Sequence, residues 1–333
     1  MPMTLAEYVN LVDKPLIKGV VMAMLEEPFV IDRLPFENAG TLGVTITYVS
    51  SVPAAGFVDL NETPGEITTG LAQVQETLKI IREYADVDSA LINNRESMQN
   101  PRTLRAKIAA KGIAYTVNDK LINGSVVTDP SEPDGLLRRL ENDQRLVGPE
   151  TSGNLRGQTR DAAGLDVDSS DANRLIWLDR IDEVIYMIDG HRPSFGIMNK
   201  QTLLKLRSIL RALKLLDTTK DQFDRRIDVY ADVPLLDIGV TAAGAIRGNE
   251  STQIIRDDNE TSPFASTAST TSMYFVRTGS DYFMGIQKEP LQVEDIGRVS
   301  ASPHLVRTYI EWILGWMVIQ KRAVSRLAGL DIT

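Results

Sequence analysis

The chain has 333 residues, 43% of them hydrophobic and 24% charged, the proportions of a folded globular protein and not of a disordered or collagen-like one. Lys and Arg number 36 against 45 Asp and Glu, and this net charge of −9 argues against tight nucleic-acid binding, which relies on clustered cations to displace counterions from phosphates. The absence of cysteine excludes disulfides, Cys-ligated zinc, iron–sulfur clusters and thiol catalysis, and two distant histidines, His191 and His304, leave few routes to a His-built metal or triad site.

Met1 to Asn10 lacks the basic head and apolar run of a signal peptide. The apolar stretches Pro15 to Leu25 and Tyr309 to Ile319 are interrupted by Lys18 and Glu311 and fall short of the ~20 residues of a membrane span. They read as core segments of a cytosol-made protein with no membrane contact. Leu5, Val9, Val12, Leu16, Val20 and Ala23 recur near helical spacing, and Pro15 interrupts them, which predicts an arm with helical pieces. From Gly43 to Val49, Val44, Ile46 and Tyr48 alternate with threonines, a strand pattern. A Pro- and Gly-rich loop follows to Gly65, then a second extended stretch from Glu66 to about Ile81. Residues 40–80 thus read as a long two-stranded excursion, and an isolated hairpin is marginal in water, so it needs a partner surface.

Asn100-Pro101 opens a helix that should end at Asn123-Gly124, with Leu104, Ile108, Ile113, Val117 and Leu121 as its apolar face. At ~1.5 Å per residue it exceeds ~30 Å. Ser125 to Gly135 reads as a turn-rich bridge, and Gly148 to Ser170 as a long polar loop. Asp171 is placed to cap a helix with Leu175, Leu178, Ile181, Ile185 and Ile188 on its face; a strand from Phe195 to Met198 leads to Asn199, cap of a second helix with Leu203, Leu206, Ile209, Leu210 and Leu213. Strands are expected at Ile227–Tyr230, Leu235–Ile238 and Met273–Val276, with Tyr282–Ile286 returning as a hairpin across Thr278-Gly279-Ser280. Ala242 to Ser272, dense in Ser, Thr, Asn and Gly, reads as an exposed loop. Leu291 to Val299 and Leu305 to Val324 read as core strands. The fold class is α+β.

No phosphate-binding loop, dinucleotide fingerprint, nucleophile elbow or His-Glu-x-x-His motif occurs. Asp166, Asp168 and Asp171 imitate a calcium loop but lack its glycine, and Trp177 stands where a bidentate Glu is required, so a polar loop ending in a helix cap is the simpler reading. Asp257, Asp258 and Glu260 form an acidic run of the kind usually found in solvated loops. His191 follows a helix exit, where it can bond the last carbonyls. No catalytic, cofactor-binding or metal-ligating set emerges, and the chain reads as a non-enzyme.

Charge distribution says more. From Leu34 to Leu78 there is no Lys or Arg, while Glu37, Asp59, Glu62, Glu66 and Glu76 are negative. The long helix reverses the sign with Arg102, Arg105, Lys107 and Lys111. The acidic hairpin can fold back on its own helix or reach that of an identical neighbour, and the second arrangement repeats head to tail into rings and shells. Two ordinary charged surfaces screened by salt are the alternative. Glu62, Glu66, Arg102, Arg105, Lys107 and Lys111 are the candidate subunit-interface residues.

In this order of parts the chain resembles the major capsid proteins of tailed bacteriophages, the Hong Kong 97-type fold. An arm (1–39) precedes an extended hairpin, the family's E-loop (40–80); Tyr84-Ala-Asp-Val-Asp88 precedes a spine helix at about 101–123; and Gly196-Ile-Met-Asn199 lies between the two helices of what looks like the axial domain. The resemblance implies a peripheral domain of 81–147 with 291–325 and an axial domain of 148–290 with 326–333. It further implies a structural role: pentamers and hexamers tiling an icosahedral shell around double-stranded DNA, without sequence-specific binding, in a virion assembled in the host cytoplasm. Partners would be a separate scaffolding protein, a portal and a decoration protein. Some members cross-link an E-loop Lys to a neighbour's Asn; with no Lys from Leu42 to Leu78 here, no such bond is expected. An encapsulin nanocompartment shell resembles the same fold, and a small-molecule-binding α/β protein is the alternative from another class.

Overall fold

The computed structural model describes residues 4, 5, 7, 15–25, 29–51, 56–60, 63, 70–92, 100–142, 150–151, 155–156, 158–167, 169–214, 217–220, 226–242, 253–255 and 270–332. Two arm helices, α1 (Pro15–Leu25) and α2 (Phe29–Arg33), lead into the short strand β1 (Phe36–Asn38). Next come β2 (Gly43–Ser51), β3 (Gly70–Thr77), β4 (Lys79–Asp88) and α3 (Ser89–Ile92). The long helix α4 (Pro101–Asn123) and the short α5 (Leu136–Asn142) follow.

The α4 boundaries fall where the local chemistry sets them. Asn100 accepts from the Arg102 N–H with Pro101 in the first turn, and the helix stops at Gly124. Gly124 and Gly135 lie so close that a Cβ on Gly124 would stand 2.2 Å from the Pro133 carbonyl, so the turn-rich bridge closes on backbone alone. The buried face differs from the expected one. Ala106, Ala110, Ile113, Ala114, Val117 and Leu121 are buried, whereas Leu104 and Ile108 are 46% and 53% exposed. Alanines admit α1 and β4 to close approach, so the small residues face inward and the larger pair faces out.

Thereafter the chain forms β5 (Glu150–Thr151), β6 (Leu155–Arg156), β7 (Thr159–Asp166), α6 (Asp171–Met187), β8 (Phe195–Met198), α7 (Lys200–Ala212), β9 (Asp217–Lys220), β10 (Arg226–Tyr230), β11 (Val233–Asp237), β12 (Thr270–Val276), β13 (Phe283–Gln287), β14 (Gln292–Val299), β15 (Ser302–Val318) and β16 (Val324–Asp331). A nine-stranded sheet runs β5-β6-β7-β16-β12-β8-β11-β10-β9, and a five-stranded sheet joins β1, β13, β15 and β14, with β4 also paired to β15. The β2–β3 pair stands apart as a two-stranded ribbon.

The central strands of the nine-stranded sheet are buried on both faces. Phe195, Ile197, Tyr274 and Val276 belong to the core shared with the arm helices, α4 and the five-stranded sheet, while Met198, Met273 and Phe275 face Trp177, Ile181, Leu206 and Leu210 of α6 and α7. This two-sided burial accounts for β8 and β12 being buried at every residue.

Several expectations are corrected. The expected loop from Gly148 to Ser170 contains β5, β6 and β7, the last parallel to β16. The second hairpin strand spans Gly70–Thr77; past Leu78 the chain enters β4 and leaves the ribbon for the five-stranded sheet. Ser170, not Asp171, caps α6 by accepting from the Asn173 N–H, and Leu175 is 53% exposed because α6 turns Trp177, Leu178 and Ile181 inward. β12 and β13 form no hairpin: β12 pairs with β8 and β16, whereas β13 pairs with β1 and β15 in the other sheet. The run from Leu305 to Val324 divides into the end of β15, a turn at Lys321–Ala323, and β16. Thr270, Thr271 and Ser272 are fully buried in β12, and Gln253, Ile254 and Ile255 are buried too, so of the described part of Ala242–Ser272, Ala242 alone is exposed. The acidic run Asp257, Asp258 and Glu260 lies outside the described residues.

Candidate functional site: the hairpin root and the spine-helix face

Among the described residues, the ribbon is anchored at its root. Ile46 on β2 packs with Leu78, Met284, Ile286 and Met317 in a small satellite core. Glu76 on β3 makes a bidentate pair with Arg139 of α5, Nη1 to Oε1 at 2.6 Å and Nη2 to Oε2 at 2.9 Å. The same guanidinium donates to the Trp316 carbonyl (3.1 Å) and, through Nε, to the Asp134 carbonyl (3.0 Å). The Arg139 side chain is 6% exposed and that of Glu76 16%, so one planar cation clamps hairpin, bridge and β15 in a largely water-excluded site. Glu76, counted among the acids of the free hairpin, is thus committed within its own chain. Away from the root, Phe57 is 109% and Leu60 94% exposed.

Of the candidate interface residues, Glu62 and Glu66 lie outside the described residues. Arg102 is engaged within the chain: it pairs with Asp295 of β14, and its Nε donates to Thr308 Oγ1 at 3.1 Å. Arg105 and Lys107 are exposed and Lys111 is half-buried. The outward face of α4 therefore combines Arg105, Lys107 and Lys111 with the exposed Leu104 and Ile108.

One face of β4 and β15 carries a ladder of cross-strand pairs. In register, Arg307 faces Asp86, Tyr309 faces Tyr84, and Glu311 faces Arg82. Arg307 binds Asp86 through two 2.7 Å hydrogen bonds and lies over the Tyr84 ring at 4.2 Å, while the tyrosine rings stand 5.3 Å apart. Sequence reading missed this ladder and the Arg139 clamp, because their partners lie 221 and 63 positions apart.

The Arg307 guanidinium holds the Asp86 carboxyl below its ordinary value of 3.8, and Arg102 does the same for Asp295. Both pKa values are depressed on folding, so their pairing stabilises the fold above 3.8 and that contribution is lost as pH falls through the lowered values. A chain carrying both Asp86→Asn and Asp295→Asn should show a flatter loss of stability as pH falls below 3.8 than the wild type, measured by denaturant titration at stepped pH.

His191 Nδ1 lies 2.9 Å from the Tyr186 carbonyl, and Asp166 accepts from the Ser169 N–H beside the α6 cap. Among the described residues no group of three His, Asp or Glu converges as a metal site, and no helix is long and apolar enough to cross a membrane.

No protein-family profile matches the chain, and no curated protein matches it. Solved structures do. The holo-SrpI encapsulin of Synechococcus elongatus PCC 7942 is 15% identical, covers 93% of this chain and 89% of its own, and has a TM-score of 0.57. The capsid of a native GTA particle is 16% identical over 92% and 89%, with a TM-score of 0.57. A chain of Mycobacterium phage Cain is 12% identical over the full length of both, with a TM-score of 0.53. Arm, projecting ribbon, long helix and paired sheets, in that order and matched along the whole chain, give this protein the Hong Kong 97-type fold of phage capsid proteins.

Proposed function

We propose that the chain is the subunit of a closed protein shell: a major capsid protein whose pentamers and hexamers tile an icosahedral capsid around double-stranded DNA. The observation that carries this reading is the end-to-end likeness to shell subunits in a chain whose ribbon exposes Phe57 and Leu60 beyond its root. A neighbour supplies the missing cover. The acidic hairpin, with Glu62 and Glu66, reaches the α4 face of the next copy, where Arg105, Lys107 and Lys111 flank Leu104 and Ile108; Arg102 holds Asp295 and orders that end of the helix. Such a contact joins different patches on the two subunits and so propagates around rings. A separate scaffolding protein, a portal and a decoration protein complete the assembly in the host cytoplasm.

Electron microscopy and sedimentation of the protein, expressed alone and with its genomic neighbours, test the reading. Closed shells or capsomer rings with nuclease-protected DNA are expected, and a persistent monomer under both conditions would overturn it. The encapsulin likeness has the same TM-score as the GTA capsid, so an encapsulin-type shell is the second reading, distinguished by enclosed protein in place of DNA.

Two further outcomes are expected. Reversing Glu62 and Glu66 to Lys should abolish or strongly reduce assembly, because complementary interface charges set register; normal particle yield from that variant would remove the hairpin-to-neighbour contact. Particles boiled in SDS should migrate as one 36.8 kDa band, since Leu42 to Leu78 contains no Lys to form an isopeptide bond.

A further inference from the structure

A terminal strand presents unpaired N–H and C=O groups to any strand that approaches, and proteins blunt such edges by keeping them short, charged or bulged. Among the described residues, the ends of the two larger sheets follow that rule. β5, β1 and β9 have two, three and four residues and carry Glu150, Glu37, and Asp217 with Lys220. β14 is longer, but it carries Glu294, Asp295 and Arg298 and is broken by a bulge at Gly297, where φ is +76°. β4, paired with β15 along one side, carries Lys79, Arg82, Glu83, Asp86 and Asp88.

The ribbon strand β2 is the exception. Its nine residues include no charge and no proline, and Val44, Thr45, Ile46, Thr47 and Val49 are β-branched. Its ladder with β3 runs unbroken from Gly43 to Val49, and among the described residues no strand lies on its other side. Thr45 and Thr47 are exposed. β3 is the poorer edge, because Glu76 ties its root to Arg139 of α5 and the chain past Leu78 turns into β4. Among the described strands, β2 is thus the long edge with no guard of its own.

We infer that β2 pairs antiparallel with β2 of a second copy, joining two ribbons into a four-stranded sheet ordered β3-β2-β2-β3. The occupant follows by elimination. The other long edges, β4 and β14, would bring charges against an uncharged strand, whereas two β2 strands meet with none, and backbone hydrogen bonds hold them without side-chain charge. The contact is isologous: one patch meets itself across a two-fold axis, so it links neighbouring rings and does not propagate within one. It rests on the shell reading and uses the strand edge, whereas the hairpin contact proposed above uses Glu62 and Glu66. Overlap of the whole strand places Thr47 opposite its own copy and Thr45 opposite Val49. Nine paired residues fall short of the ~1,000 Å² of a stable interface, so the ribbons pair in the assembled shell and not between free subunits.

The natural chain has no cysteine, so disulfide trapping reports cleanly. In assembled, mildly oxidised particles Thr47→Cys should cross-link chains into dimers, and Thr45→Cys, set opposite Val49, should leave them single. Thr47→Lys and Thr47→Glu should each lower particle yield by about tenfold, because each opposes its own charge across the axis, and coexpression of the two should restore it. Restoration cannot come from chains that merely misfold. A strand lying instead on the basic α4 face would be weakened by Lys and strengthened by Glu. That opposite response, normal yield from both variants, or no recovery on coexpression would overturn the pairing. Dimers formed only between Thr47→Cys chains and differently tagged Gln73→Cys chains would mark β2-to-β3 pairing and overturn it too. Particles that form normally while Thr47→Cys gives no disulfide overturn the pairing and leave the shell reading standing. A wild-type chain that remains monomeric overturns the shell reading, and this contact with it.

Discussion

Replacing Arg139 with alanine should destabilise the folded chain by about 3 kcal/mol or more, because it takes the bidentate cation from a largely buried Glu76 carboxylate. The Asp134 and Trp316 carbonyls lose their donor at the same time. Denaturant unfolding of the soluble subunit measures the first effect. A second follows for assembly: with its root unclamped the ribbon samples many directions, so particle yield should fall even at temperatures where the subunit remains folded. Arg139→Lys separates the two contributions. It retains the charge but not the fork, and should recover stability only in part. An Arg139→Ala subunit as stable as the wild type would show that the clamp contributes nothing.

Arg326 is the second position at which a large loss is expected. Its side chain is 1% exposed in β16, where Nε donates to Ser272 Oγ and Nη1 to Glu141 Oε1, both at 2.9 Å, with the Tyr274 ring 5.7 Å away. Glu141 lies on α5, so this pair fastens α5 to the nine-stranded sheet. Glu141→Ala strands a buried guanidinium and should cost about 3–5 kcal/mol by calorimetry or denaturant titration. Arg326→Met removes both the charge and its desolvation penalty and should cost less than Glu141→Ala. The opposite ranking would contradict this account of the pair.

What could be read from sequence was set by short-range chemistry. Asn100-Pro101 and Asn199 marked helix starts because a cap acts over three residues. Val44, Ile46 and Tyr48 marked a ribbon strand because alternation is local. β7 escaped notice because Thr159 and Arg160 are buried polar residues paired with a strand far along the chain, where no local pattern announces them. The inward face of α4 was misjudged for a related reason: hydrophobic spacing favours Leu104 and Ile108, but the approach of α1 and β4 selects alanines. Of the candidate interface residues, Arg105, Lys107 and Lys111 remain on the outward helix face, whereas Arg102 has an acceptor in β14 that its own helix could not reveal.

The junction between the ribbon and the rest of the subunit has a mechanical consequence. A single residue, Leu78, separates the β2–β3 ladder from the ten-residue strand β4 bound along β15. The ribbon is therefore a lever hinged at Leu78 and held at its root by buried Ile46 and by the Arg139 clamp two positions from the hinge. Its nine-residue strand β2 makes an arm of about 30 Å at ~3.3 Å per residue. A rotation of about 10° at the pivot would carry the tip about 5 Å, roughly the spacing of adjacent strands, without breaking a ladder hydrogen bond on either side. In the shell proposed for this chain, such a lever would accommodate differences in curvature between subunit positions by swinging the arm while each subunit body stays rigid.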